Sequence, residues 1–288
     1  MCITVGDAVR YKSMTRTRLL RLSGAEQRQA LTALYRNNLE VLRGALEYCD
    51  RARIRLYRVT SNLFPLCDEP AGTAVLEAMA DRLGEIGPMA GRLGIRVVAH
   101  PDQFVVLSSE KRRVVDTSIH IMRRHAWVFD LLGLPRSSWS ALTLHGGKSG
   151  RAGALVEVIG GLPDGIRSRL TLENDERAYS AAEVLEICSR AGVPMVFDAH
   201  HHVLKEKLEG FEHPSVREFV ERARQTWPDP AWQIVHLSNG AGGLADARHS
   251  RLVDTWPSAF ETVPWIEVEA KGKEAAITHL RRLWPRVG

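Results

Sequence analysis

RLTLENDERAYSAAEVLEICSRAGVPMVFDAHHH, residues 169–202, contains a complete strand–helix–strand unit. Arg169–Leu172 and Pro194–Phe197 are short apolar runs with β-branched residues. Ser180–Arg190 between them carries apolar residues at helical spacing. A helical crossover between two strands implies parallel pairing. The same alternation extends outward in both directions. Strands are predicted at Ile3–Gly6, Ile54–Val59, Ile95–Ala99, Ala141–Leu144, Gln233–Leu237 and Trp265–Val268, which makes eight in all. Helices are predicted from a Ser23/Glu26 capping box through Leu46, over Thr73–Leu93 with an interruption at Gly87-Pro88, and over Val114–Leu132, Ser215–Gln225 and Lys273–Leu283. A glycine-rich helix over 153–161 is weakly signalled, and none is clear after the seventh strand. Eight βα units point to a single-domain (β/α)8 TIM-type barrel over residues 1–288, with a doubly wound open sheet as the alternative.

Both strands of the opening unit end on an acid, Glu173 and Asp198. Four others do the same with a histidine or an acid: His100, His145, His236 and Glu269. In a closed barrel all six lie at the C-terminal face, where active sites of this fold sit. Each alone reads as a core histidine, a helix cap or a salt-bridge partner. Together they place three carboxylates around one axis, a costly arrangement unless cations compensate them. Imidazole and carboxylate without thiolate suit Zn, Mn or Fe, and a carboxylate set among histidines can bridge two ions. His200, His201 and His202 follow Asp198 on a segment read as a loop. It is expected to turn one or two rings inward and leave at least one at the surface. His249 is placed to close a third metal position, with Asp246 as a weaker helper. His120 and His125 are expected to face solvent or pack on their helix, and His213 and His279 carry no assigned role.

Composition narrows the classes further. The 288 residues are 44% hydrophobic and 25% charged, as in ordinary globular chains. No apolar run is long enough to span a membrane, and MCITVGDAVRYKSMTR has too short an apolar stretch for a secretory signal. Cys2, Cys49, Cys67 and Cys188 form no CxxC pair, which fits a cytoplasmic protein and excludes a thiolate metal site. Residues 1–136 carry 21 Lys+Arg against 14 Asp+Glu, whereas the remainder carries 18 against 20. The basic surplus is therefore in the first half. It is mostly arginine, the footprint of a partner rich in phosphate.

Seven strings in one order carry a resemblance: YRVTSNLFP (57–65), HPDQFV (100–105), LHGGK (144–148), LEND (172–175), VFDAHHH (196–202), HLS (236–238) and VEAKGK (268–273). They are similar to the UV damage endonuclease family, whose barrel is related to endonuclease IV-type enzymes, and they span nearly the whole chain. The resemblance implies a DNA repair endonuclease that nicks damaged duplex DNA 5′ to cyclobutane pyrimidine dimers and 6-4 photoproducts, and often at abasic sites. It implies two or three divalent ions, manganese first and zinc or magnesium as other fits, held by His100, His145, Glu173, Asp198, His201, His236, His249 and Glu269. Glu173 is the implied bridge, and Gln103 with Phe104 is the implied lesion-probing pair.

Some family members carry a histidine at Asn62, read here as a weaker or water-mediated ligand, and a lysine at Ile234. The usual aromatic near Val5–Ala8 and an acid after His249 are also missing. Arg58, Lys148 and Lys271 are expected to contact phosphates. Hydrolysis is expected to leave 3′-hydroxyl and 5′-phosphate ends. Nothing in the sequence demands a membrane, an obligate protein partner or more than a monomer. Three alternatives remain open: an abasic-site endonuclease without photoproduct preference, a metal-dependent sugar isomerase, and a non-catalytic lesion sensor.

Overall fold

The structure, a computed structural model, describes residues 9–284. The expected first strand, Ile3–Gly6, lies outside the described residues. The seven that follow are present and parallel: β1 (Leu56–Val59), β2 (Arg96–Ala99), β3 (Leu142–His145), β4 (Leu170–Glu173), β5 (Met195–Asp198), β6 (Ile234–Leu237) and β7 (Trp265–Val268). They pair in chain order, so each βα unit lies beside the next and the sheet curls into a nearly closed barrel. β2, β4, β5 and β6 are buried along their whole length. That is why they read as continuous apolar runs rather than as alternation. β1 and β7 face each other across the seam, and Arg58 of β1 spans it to reach Glu267 and Glu269 at the end of β7.

Helices α1 (Arg16–Leu19) and α2 (Gly24–Arg51) precede β1. The Ser23/Glu26 box closes as expected: the Ser23 N–H donates to Glu26 Oε2 at 2.8 Å and the Glu26 N–H to Ser23 Oγ at 3.4 Å. Caps of this kind are worth about 1 kcal/mol. α2 then buries Leu31, Leu34, Tyr35, Leu39, Leu42 and Leu46 at helical spacing.

The single interrupted helix expected over Thr73–Leu93 is instead three: α3 (Pro70–Ala78), α4 (Ala80–Leu83) and α5 (Ile86–Arg92). Pro88 does not break α5. It sits in the first turn, where backbone N–H groups have no intrahelical partner. Gly87 is required there, because a Cβ would collide with the Gly133 carbonyl and the Gly87 N–H donates to Leu132 O at 2.7 Å.

The remaining helices are α6 (Arg112–Leu131), α7 (Ala152–Gly160), α8 (Asp164–Arg167), α9 (Ala181–Ala191), α10 (Ala199–Glu206), α11 (Pro214–Arg224) and α12 (Glu274–Leu283). No α-helix follows β6. Asn239 organises that long connection, accepting from the N–H groups of Asp254 and Thr255 and donating to Thr255 O.

Arg96 is fully buried at the barrel floor, at the start of β2. It donates to Trp139 O (2.6 Å), Trp232 O (2.7 Å) and Ser138 O (2.8 Å), and lies over the rings of Trp139, Trp227 and Trp265. Burial lowers its pKa to about 9, so it stays charged at neutral pH.

His125 of α6 is buried, with Nε2 lacking a hydrogen-bond partner. Burial first, and Arg124 second, push its pKa down to about 4, against about 6.5 unfolded. Between those values the unfolded chain takes up a proton that the folded chain refuses. Stability is therefore intact above about pH 6.5 and falls as pH drops toward 4, by up to about 3 kcal/mol. Denaturation midpoints at pH 7 and 4.5 should converge in His125→Leu relative to the parent. Equal pH slopes in the two proteins would contradict the assignment.

Candidate metal centre

Strand register sets the depth of the donors. His145 is paired with Glu173 across β3 and β4, and Asp198 with His236 across β5 and β6. His100 follows β2 directly, and Glu269 follows β7, its N–H donating to Leu237 O at 2.8 Å.

Glu173, fully buried, is the centre of the arrangement. Its Oε2 lies 2.9 Å from His100 Nε2 and 3.8 Å from His145 Nε2. Its Oε1 lies 2.9 Å from His236 Nδ1 and 3.5 Å from His201 Nδ1. Two donor groups result, His100/His145/Glu173 and Glu173/Asp198/His236/Glu269. Within each, one ligand atom per residue lies within 4.8 Å of the others. Glu173 belongs to both.

The two remaining candidate ligands lie at the margin. His201 approaches Glu173 but hydrogen-bonds the Asn174 carbonyl through Nδ1 at 3.0 Å. His249 Nε2 is 3.8 Å from Glu269 Oε2.

The electrostatics are those of a crowded acidic site. Burial opposes ionisation of Glu173, yet His236 and His145 together with hydrogen bonds from the neighbouring rings hold it well below the usual carboxylate range. Burial likewise opposes a charge on Glu269, and Arg58 with His236 outweighs it, bringing the pKa to about 2. In return His236 is held protonated well above its ordinary value: burial works against it, but Glu173, Glu269 and Glu267 prevail. His201 behaves alike, its pKa raised to about 9 against burial by Asp198 and Glu173.

Asp198 carries the most direct sign that these residues suit a cation. Its Oδ1 caps α10 by accepting from the His201 N–H at 2.7 Å, while Oδ2 is buried without a hydrogen-bond partner. A lone buried carboxylate oxygen costs a few kcal/mol unless a cation meets it. The donors are nitrogen and oxygen only, so the residues present fit hard or borderline divalent ions.

The DAHHH segment departs from expectation. It is not a loop but the start of α10, and all three imidazoles are buried. His200 Nδ1 meets Ser238 Oγ at 3.1 Å, and His202 Nε2 meets Ser215 Oγ at 2.8 Å while its ring packs edge-on against Phe219. Helical geometry turns three successive side chains about 100° apart, so the three rings enter different parts of the interior instead of one reaching the surface.

Other candidates also fall outside the two donor groups. Asn62 is exposed and donates to Ser13 Oγ at 3.2 Å. Asp246 is clamped by Arg248 at 2.8 and 3.0 Å. Arg58, expected on phosphate, is instead half-buried against Glu267 and Glu269. Lys148 is exposed, 3.4 Å from Glu110. Lys271 has no ion pair among the described residues and lines a cleft of about 470 Å³ with Arg248, His249, Glu269 and Lys273. Gln103 and Phe104 are both exposed, Phe104 at 64%, so the loop after β2 presents that residue to solvent rather than to the core. Among the helix histidines, His120 is exposed, 3.7 Å from Asp68, whereas His213 caps α11 and His279 pairs with Asp254.

One acid escaped the sequence reading. Glu267 is buried on β7, its Oε2 3.4 Å from His236 Nε2. The signal was available, because alternation in a strand puts Glu267 on the same side as Glu269. Asn174 was missed too; it exchanges two 2.9 Å hydrogen bonds with the Asp198 backbone and extends the β4–β5 pairing.

No helix among the described residues is long and apolar enough to cross a membrane. The profile of the family described as UV-endonuclease UvdE matches residues 1–285. A protein of Deinococcus radiodurans named UV DNA damage endonuclease is 52% identical over 288 residues, covering 99% of this chain and 94% of its own. A protein of Nostoc sp. with the same name is 51% identical over 286 residues, covering 99% and 89%. The crystal structure of SacUVDE superposes with a TM-score of 0.76 at 26% identity, over 94% of this chain and 93% of that one. With a barrel that gathers His, Asp and Glu at one mouth and a match running over almost its full length, the chain belongs to the UV-endonuclease family.

Proposed function

We propose that the protein is a DNA repair endonuclease that hydrolyses one phosphodiester 5′ to UV photoproducts in duplex DNA, leaving 3′-hydroxyl and 5′-phosphate ends, and that it also cuts at abasic sites. The observation that carries this reading is Glu173, whose two oxygens face two separate donor groups. His100 and His145 would hold one divalent ion, Asp198, His236 and Glu269 a second, and Glu173 both. His201 and His249 stand ready beside them for a third. Manganese is the preferred ion. When bound, such ions supply an activated water and offset charge on the scissile phosphate and the leaving oxygen.

The chain's own residues do the rest. Arg58 braces Glu267 and Glu269 across the seam, which fixes the Glu269 carboxylate in depth and direction. Asp198 does the same for α10. Lys271 and Lys273, with no ion pairs among the described residues, line the cleft beside Glu269 and would receive a neighbouring phosphate. Gln103 and Phe104 would enter the duplex at the lesion. A damaged step stacks poorly, so opening it costs less there than in intact DNA. The protein acts as a cytoplasmic monomer.

Ion uptake must displace the protons on His236 and His201. Adding manganese to metal-stripped protein in weak buffer at pH 7 is therefore expected to acidify the solution, and a flat pH trace would contradict the ligand assignment. Replacing Gln103 and Phe104 together by alanine should reduce preference for a dimer duplex over an undamaged one about tenfold or more, as for removal of one stacking side chain, with metal content retained. Unchanged preference would refute the wedge. The reading as a whole is tested by mapping cuts in duplexes that carry one thymine dimer, one 6-4 photoproduct, one abasic site or no lesion. Cuts directly 5′ to the photoproducts support it. Cutting confined to the abasic duplex would leave an abasic-site endonuclease instead.

A further inference from the structure

The arginine surplus of the first half of the chain has a specific location. Between Asp7 and Glu26 there is no acid, and five basic residues fall in that interval: Arg10, Lys12, Arg16, Arg18 and Arg21. The chain over 11–21 is exposed apart from its anchors. It is tied down by Asn38 of α2, which is fully buried. Asn38 accepts from the Lys12 N–H (2.8 Å) and donates to Lys12 O (2.9 Å) and Leu63 O (2.8 Å). Tyr11 meets Tyr57 of β1 at 2.7 Å, Arg16 meets Glu69 at 2.5 Å, and Leu19 is buried.

Leu63 and Glu69 belong to the connection that leaves the C-terminal end of β1, and Ser61 of that connection donates to the His100 carbonyl at 3.0 Å. The basic segment therefore lies on the metal-centre face of the barrel, one connection away from His100. Lys12, Arg18 and Arg21 are exposed and have no ion pair among the described residues. Leu20, beside them, is 55% exposed. With Phe104 and Leu283 it is one of three large apolar side chains so exposed among the described residues. A basic strip held rigid by a buried amide, with an apolar side chain turned outward, is built to face a surface rather than water.

We propose that residues 11–21 form a strap that binds the phosphate backbone of duplex DNA through Lys12, Arg18 and Arg21, independently of any lesion. This rests on the DNA reading given above. Phosphate contacts fix position without reading damage. The strap would thus align the duplex over the donor groups, while the loop after β2 probes for the lesion.

The test uses undamaged duplex, which requires no cleavage. Binding of the parent and of a Lys12→Gln, Arg18→Gln, Arg21→Gln variant is followed by fluorescence anisotropy between 50 and 200 mM salt. The variant is expected to bind at least tenfold more weakly at the lower salt. Its slope of log affinity against log salt should be shallower by about 2–3, near 0.9 for each phosphate that is no longer neutralised. Arg21→Glu alone should lower affinity in the same direction, and melting temperature and metal content serve as controls for folding. Equal affinity and slope in parent and variants would overturn the strap, even if the parent nicks dimer duplexes. A parent that binds through the strap but nicks nothing would instead overturn the activity reading and leave the strap standing.

Discussion

Glu173→Gln is expected to abolish nicking and to lower metal content at the same time. The change keeps the volume of the side chain but removes the one charge that faces both donor groups. Oε2 would no longer offset the His100 and His145 side, nor Oε1 the His236 and His201 side. His236 owes its raised pKa first among its favourable partners to Glu173, so the variant also loosens the proton that stands in for a cation. Losing a group that merely supports a ligand costs about 10–100-fold. Losing a shared ligand should cost at least about a thousandfold in rate. Metal analysis and single-turnover nicking on the same preparation check it. A fully metallated variant with parental activity would remove Glu173 from its bridging place.

Arg96→Met is expected to destabilise the fold by about 3–5 kcal/mol while leaving the donor residues at the other end of the barrel in place. Methionine fills much of the same space among Trp139, Trp227 and Trp265 but leaves the carbonyls of Trp139, Trp232 and Ser138 buried without donors. Each such group costs about 1–3 kcal/mol. Chemical denaturation measures the change. A loss under about 1 kcal/mol would mean that the floor is held by its indole packing alone.

The parts of this molecule that were legible in advance are those set by local chemistry. A strand buried on both faces must be apolar throughout, and a donor at its end must stand out against that background. Hence β2, β4, β5 and β6, with the donors at or near their ends, could be read directly, and Glu173 could be placed among histidines before its geometry was known. The barrel layout followed from the repetition of the βα unit.

Features decided by tertiary contact were not legible. Whether DAHHH is a loop or a helix depends on Asp198 turning one oxygen back to the His201 N–H. The burial of all three imidazoles depends on Ser238, Ser215 and Phe219, far away in the chain. Arg58 reads from sequence as a phosphate-binding group on its strand, but β7 supplies its acids across the seam. Glu267 lies inside β7 rather than at its end, and its distance of two residues from Glu269 was the clue. Pro88 misled because proline stops a helix only past its first turn.

The most direct test of the account is nicking of a duplex with a single thymine dimer by metal-stripped protein, with and without added manganese. The account predicts no cut without metal, a single cut directly 5′ to the dimer on addition of manganese, and loss of that cut when a chelator is restored. Cutting that persists in the chelator, or that falls equally on the undamaged duplex, would contradict it.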